Sequence, residues 1–230
     1  MRRALIAALV AGFAGCVVFT ALQQAVVVPL ILKAEEYEEA GKANPPTGQA
    51  QAAPQAAHRH DEEGWKPDDG IDRIAYTALA NLGFGVGFAL LLAAGFTLAG
   101  REVGTLRGLA WGAAGFAAFA LAPALGLPPE LPGTVAAELV PRQLWWFGTA
   151  IATASGLGLI VFGRGRMWKA LGVLALVLPH IVGAPHPEGG HGGTVPADIA
   201  RGFIVLSLLT TALFWAVLGA VSGAVYSRVR

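Results

Sequence analysis

The stretch ALIAALVAGFAGCVVFTALQQAVVVPLIL, Ala4–Leu32, contains no Asp, Glu, Lys, Arg or His. As a helix it would run roughly 43 Å at 1.5 Å per residue, more than the ~30 Å of a bilayer's hydrocarbon core. It reads as a membrane span. Met1-Arg2-Arg3 in front of it has the charge of a secretory leader, and Phe13-Ala14-Gly15-Cys16 approaches a lipoprotein cleavage site. Two features favour a retained first span over a cleaved leader. The apolar run continues past Cys16 to Leu32, and Phe13 stands where such sites want an aliphatic residue.

Outward from that stretch the same pattern recurs. Apolar segments lie at Ile74–Ala99, Leu106–Leu125, Gln143–Phe162, Trp168–Ala184 and Phe203–Tyr226, which makes six spans. The fifth, near 17 residues, is at the lower limit for a crossing. A composition 55% hydrophobic and 13% charged exceeds what one soluble core needs. The fold class expected is all-α, a polytopic membrane bundle of six transmembrane helices forming a single membrane domain over 1–230. Residues 33–72 form a long acidic outer loop in this reading, partly disordered through the Pro/Gln/Ala/Gly stretch 44–57. Glu35 to Glu39 are expected to extend the first helix, and Trp65 and Pro67 to order the return.

Charge placement sets an expected sidedness. With the N-terminus inside, the inner segments hold nine Lys/Arg residues (Arg2, Arg3, Arg101, Arg107, Arg164, Arg166, Lys169, Arg228, Arg230) against Glu102 alone. The outer segments hold every other acid and all five histidines. This Lys/Arg bias over short loops places both termini in the cytoplasm. No basic patch interleaved with exposed aromatics points to nucleic acid. Cys16 is the single cysteine, which excludes an internal disulfide or a CxxC pair. Gly83–Gly87 is no phosphate loop, because it lies inside an apolar span and no GxxxxGK[ST] occurs. The absence of HExxH argues against a metalloprotease, so no enzymatic role and no prosthetic group are expected.

Spans one, three and five each approach the outer face with a proline, Pro29, Pro123 and Pro179, followed by an acid, Glu35, Glu130 and Glu188. Spans two, four and six re-enter beside Arg73, Arg142 and Arg201. Three parallel helical hairpins would give this repetition, and so would a plain preference of these residues for span ends. Gly83-x-x-x-Gly87, Gly108-x-x-x-Gly112 and Gly219-x-x-x-Gly223 suit close helix approach, within one bundle or between copies in a homo-oligomer.

The donors of interest cluster outside. His180, next to Pro179, is followed by His186, Glu188 and His191. Imidazole nitrogen and carboxylate oxygen are ligands for divalent transition metals, so the cluster suggests capture of a cation. His58 and His60 beside Asp61, Glu62 and Glu63 could gather cations in the first outer loop, and Glu36 lies near its start. The proline-rich Gly126–Gly133 holds Glu130 in a rigid frame that suits a ligand or an anchor for Arg142. Trp145 and Trp146 fit an aromatic belt at the interface. Inward of their end turns the spans carry no Asp, Glu, Lys, Arg or His unless His180 reaches inward. Gln24, Asn81, Thr149, Thr153 and Thr210 form a neutral polar layer, either a path below the histidines or a set of bonds between helices.

Several of these motifs in order are similar to one known family. Ala34-Glu35-Glu36-Tyr37-Glu38, Trp65-x-Pro67-x-Asp69-Gly70-x-x-Arg73, Gly126-Leu127-Pro128-Pro129-Glu130-Leu131-Pro132-Gly133, Arg142-Gln143-x-Trp145-Trp146 and Pro179-His180-x-x-Gly183-Ala184-Pro185 together resemble the CbtA family. The resemblance implies a probable cobalt transporter subunit of the bacterial inner membrane, associated with cobalamin metabolism. It also implies a small single-span CbtB partner bearing histidines, and functional weight on Glu36, Glu130, Arg142 and His180. The expectation is therefore uptake of a divalent cation, cobalt before nickel or zinc by resemblance only. His180, His186 and Glu130 would form the mouth, and Glu36, His58 and His60 would assist capture. A non-transporting scaffold or regulatory subunit is the alternative.

Overall fold

The computed structural model describes residues 2–43, 70–100, 102–187, 193 and 195–229. They form six helical rods. The first consists of α1 (Arg2–Leu22), a π-helical turn Gln23–Val27 and α2 (Val28–Ala43). The second is α3 (Ile71–Ala99). The third is α4 (Thr105–Phe116) with a π-helical turn Ala117–Leu121 and α5 (Ala122–Ala124). The others are α6 (Leu139–Phe162), α7 (Arg166–Val182) and α8 (Ala197–Arg228). Five of the rods are long and apolar enough to cross a membrane. The remaining rod, α7, has 17 residues and spans about 26 Å, as the short fifth apolar segment foreshadowed.

Both π turns have an identifiable cause. Pro29 and Pro123 each lie two residues beyond one, and a proline ring has no N–H to offer and collides with the carbonyl four residues back. Widening the helix moves that carbonyl aside. The amides of Val28 and Ala122 accordingly donate to Gln23 and Ala117, five residues back.

Glycines decide which rods touch. At Gly12 an added Cβ would come within 2.7 Å of the Val86 backbone, and at Gly85 within 2.7 Å of the Gly12 carbonyl, so α1 and α3 cross backbone to backbone. Gly156 and Gly172 do the same for α6 and α7, and Gly108 and Gly112 face Gly219 and Gly223 where α4 meets α8. Small residues at each crossing maximise dispersion where lipid offers no hydrophobic drive. Gly83 and Gly87 do not take part: nothing lies within 4 Å of either, because two helical steps turn them about 200° away from Gly85. Of the three hairpins suggested by the repetition, the first packs as a unit, whereas α4 pairs with α8 and α6 with α7.

The main core lies among α1, α3, α4 and α8. Phe88 packs at a tilt against Trp215 with ring centroids 4.8 Å apart, Phe19 likewise against Phe214 at 4.9 Å, and Phe96 edge-on to Tyr226 at 5.4 Å. The α6–α7 pair is attached to this body through the second π turn and α5. Between α3, α4 and α6 an apolar crevice of about 640 Å³ remains, lined among others by Leu91, Gly95, Trp111, Ala114, Leu157 and Val161.

Part of the polar layer bonds between helices. Buried Asn81 on α3 donates to Thr20 Oγ1 at 3.0 Å and to Gln23 Oε1 at 2.7 Å on the first rod. Thr210 instead donates to the Ser207 carbonyl of its own helix. Asn81→Leu should cost about 0.6–1.7 kcal/mol, the range for hydrogen bonds between membrane helices. A melt of the detergent-purified protein checks this: a midpoint lowered by a few degrees is expected, and an unchanged one would show that the two bonds carry no stability.

Candidate functional site

The ends of the rods bearing Glu35, Glu130 and His180 share one face, and three loop motifs converge there. The turn after α5 is closed by the Gly126 and Leu127 amides, which donate to the Pro123 carbonyl at 3.1 and 2.8 Å. The chain then runs through Pro128, Pro129 and Pro132, which forbid helix. Leu131 leaves this loop and is buried with Val27, Ala34, Ile199 and Phe203, pinning it to α2 and α8. A single antiparallel bridge pairs Thr134 with Gly193 and so ties the loop to the segment after α7.

Trp145, in the second turn of α6, joins these pieces. Its indole Nε1 donates to the Pro179 carbonyl at 3.2 Å, and its ring meets the His180 ring edge-on at 6.0 Å. Gly126 lies against the same indole, with Ala184 beside it, so any side chain at 126 would displace one or the other. The Pro179 carbonyl also accepts the Gly183 amide at 3.0 Å, and Gly183 closes α7 at φ 83°, a conformation that only glycine adopts freely. His180 is thus oriented by its ring contact and its backbone. Among the described residues no hydrogen bond engages either of its ring nitrogens.

One turn from Trp145, Arg142 donates to Glu130 Oε2 at 2.6 Å, both side chains about one quarter exposed. An equivalent pair joins the first two rods, where Arg73 donates to Glu35 Oε1 at 2.9 Å. In the first two hairpins the proline, the acid and the arginine therefore do the same work. The proline follows a π turn by two residues, and the acid and arginine close an ion pair at the same end of the bundle.

A family model described as "probable cobalt transporter subunit (CbtA)" matches residues 1–227. The chain belongs to the CbtA family. No curated protein and no solved structure matches it. Membership makes this CbtA chain a multi-pass membrane protein and a subunit of a cobalt transporter, a role that involves a metal ion and at least one partner.

The residues expected at the mouth are distributed unevenly in this CbtA chain. His180 is half-buried against Trp145, and His186, four residues past the end of α7, is exposed. Glu130 is committed through one oxygen to Arg142, and Glu36 is exposed on α2 one position after the paired Glu35. His58, His60, Glu188 and His191 lie outside the described residues. Among the described residues no three His, Cys, Asp or Glu side chains are grouped closely enough to hold a metal ion. Trp145 as the joint between motifs was hidden in the sequence by its fit to an aromatic belt. Its spacing of three from Arg142 was the available signal.

Proposed function

We propose that the chain admits cobalt, or a divalent cation of similar ligand chemistry, from the outer face of the bacterial inner membrane, with both termini cytoplasmic and in support of cobalamin metabolism. The observation that carries this reading is the convergence on one face of the Glu130 loop, the Arg142–Trp145 turn and the Pro179–His180 helix end. Among the described residues, His180 supplies an imidazole with both nitrogens uncommitted, and Glu130 keeps Oε1 while Oε2 holds Arg142. His186, Glu36, His58 and His60 complete the capture surface. A full coordination shell needs donors from outside the described residues or from a small single-span CbtB-like partner with histidines of its own. Imidazole and carboxylate do not separate cobalt from nickel or zinc, so the choice of cobalt follows the family.

A second reading is favoured by a specific observation: inward of their end turns the membrane-crossing parts of the rods carry no Asp, Glu, Lys, Arg or His, and neutral groups replace a cation's hydration only in part. Under it the chain scaffolds or regulates a partner that conducts. Uptake of radiolabelled cobalt by cells expressing the chain with and without the partner separates the two. Under the transport reading, His180→Ala lowers uptake about tenfold, as expected for losing a metal ligand or its orientation. Unchanged uptake in that variant rejects the mouth, and uptake that follows the partner alone makes the chain a scaffold.

A further inference from the structure

Threonines inside helices ordinarily satisfy their hydroxyl on the carbonyl four residues back. Thr77, Thr97 and Thr211 do so here, at 2.7, 2.8 and 2.7 Å from the carbonyls of Arg73, Ala93 and Ser207. Thr149 and Thr153 on α6 do not. They are 0% and 2% exposed, and among the described residues neither Oγ1 has a hydrogen-bond partner. A buried hydroxyl without a partner is costly, and two on adjacent turns call for something to meet them. Ser207 and Ser222 are also unpartnered, but they are single groups 15 residues apart on α8.

The position of the pair gives it meaning. Residues 145, 149 and 153 are spaced by four and share a face of α6, so the two hydroxyls lie in a column beneath Trp145, about 6 Å apart along the axis. That column starts at the indole touching His180 and ends next to the Gly156–Gly172 crossing with α7. Two prolines on neighbouring elements leave carbonyls without their usual helical donor. Pro179 has no N–H for the carbonyl of Ala175, which lies on α7 between the Trp145 and Gly156 contacts. Pro123 likewise has none for the π turn Ala117–Leu121, which packs on α6 and whose Phe119 ring is 6.5 Å from that of Trp146.

We propose that Thr149 Oγ1 and Thr153 Oγ1, with the carbonyl oxygens freed by Pro123 and Pro179, form a transit site for a partly dehydrated divalent cation just below the mouth. This rests on the transport reading and adds to it the route through this chain. Neutral hydroxyl and carbonyl oxygens replace lost hydration water without binding so tightly that the ion is trapped. They also give no preference among cobalt, nickel and zinc, so selection stays at the mouth.

The test compares the double variants Thr149→Val/Thr153→Val and Thr149→Ser/Thr153→Ser in the full chain expressed with its partner. Valine keeps the volume and removes the oxygen, whereas serine keeps the oxygen. Cobalt uptake is expected to fall at least tenfold in the valine variant and to stay within twofold of wild type in the serine variant. The melting temperature of the purified valine variant should be unchanged or higher. Independently of transport, millimolar cobalt chloride should raise the melting temperature of the wild type more than that of the valine variant. Wild-type uptake that is indifferent to valine, or equal losses with serine and valine, overturns the transit site alone. A hydroxyl-dependent cobalt shift without wild-type uptake overturns the transport reading and leaves the site standing. Absence of both overturns both.

Discussion

Gly219→Ala is expected to unfold or separate the α4–α8 pair, lowering the melting midpoint in detergent by more than 10 °C or abolishing a monodisperse peak. A Cβ at 219 meets the Gly108 carbonyl oxygen and comes within 2.8 Å of the Gly112 Cα. Both obstacles are backbone, so no rotamer change relieves them and the helices must move apart. Overpacking of this kind costs about 1–3 kcal/mol where side chains can yield, and more where they cannot. The crossing is also shared: a Cβ at 223 would come within 2.5 Å of the Gly104 carbonyl oxygen and 2.9 Å of the Gly108 Cα. The control is Gly87→Ala, in the same sequence pattern but with nothing within 4 Å of the added methyl. There alanine's better helix propensity should leave stability equal or raise it by up to about 1 kcal/mol. Equal losses at both positions would mean that the crossing does not hold α4 to α8.

Arg142→Ala is expected to reduce cobalt uptake more than tenfold and stability by about 1–3 kcal/mol. The guanidinium is the partner of a Glu130 carboxylate that is only about one quarter exposed. Removing it leaves that charge half-desolvated, a cost between those of exposed and fully buried pairs. The same change frees the proline-rich loop on the side where it meets Trp145, the indole that His180 packs against. Arg142→Lys should recover part of the stability, since ammonium keeps the charge without the fork. A double-mutant cycle with Glu130→Gln checks the pairing: strict additivity of the two single losses would show that the residues do not act on each other.

The six rods were legible because a helix must avoid charge where it crosses lipid, and the uncharged runs here are bounded by Arg, Lys or Pro. Rod facing was not legible. Gly83-x-x-x-Gly87 and Gly108-x-x-x-Gly112 are the same motif, yet only the second faces a neighbour, and the phase of a helix depends on contacts that no local pattern records. Glu35 and Glu36 show the same limit. They differ by about 100° around α2, and only the position of α3 decides that Arg73 reaches Glu35. The anchoring of Arg142 by Glu130 could be anticipated, because a rigid loop and a helix start 12 residues apart have few partners to choose from. The two π turns could not, since proline alone permits a kink, a break or a widened turn.

His180 owes its orientation to an indole and to a backbone carbonyl held from two sides, and among the described residues neither imidazole nitrogen is spent on keeping the ring in place. Metal-binding histidines that store their ion usually hand the second nitrogen to a carboxylate or carbonyl, and losing that brace weakens the hold about 10–100-fold. Under the proposed transport role, a cation arriving at this imidazole would therefore have a short dwell time. That suits a doorway better than a vault.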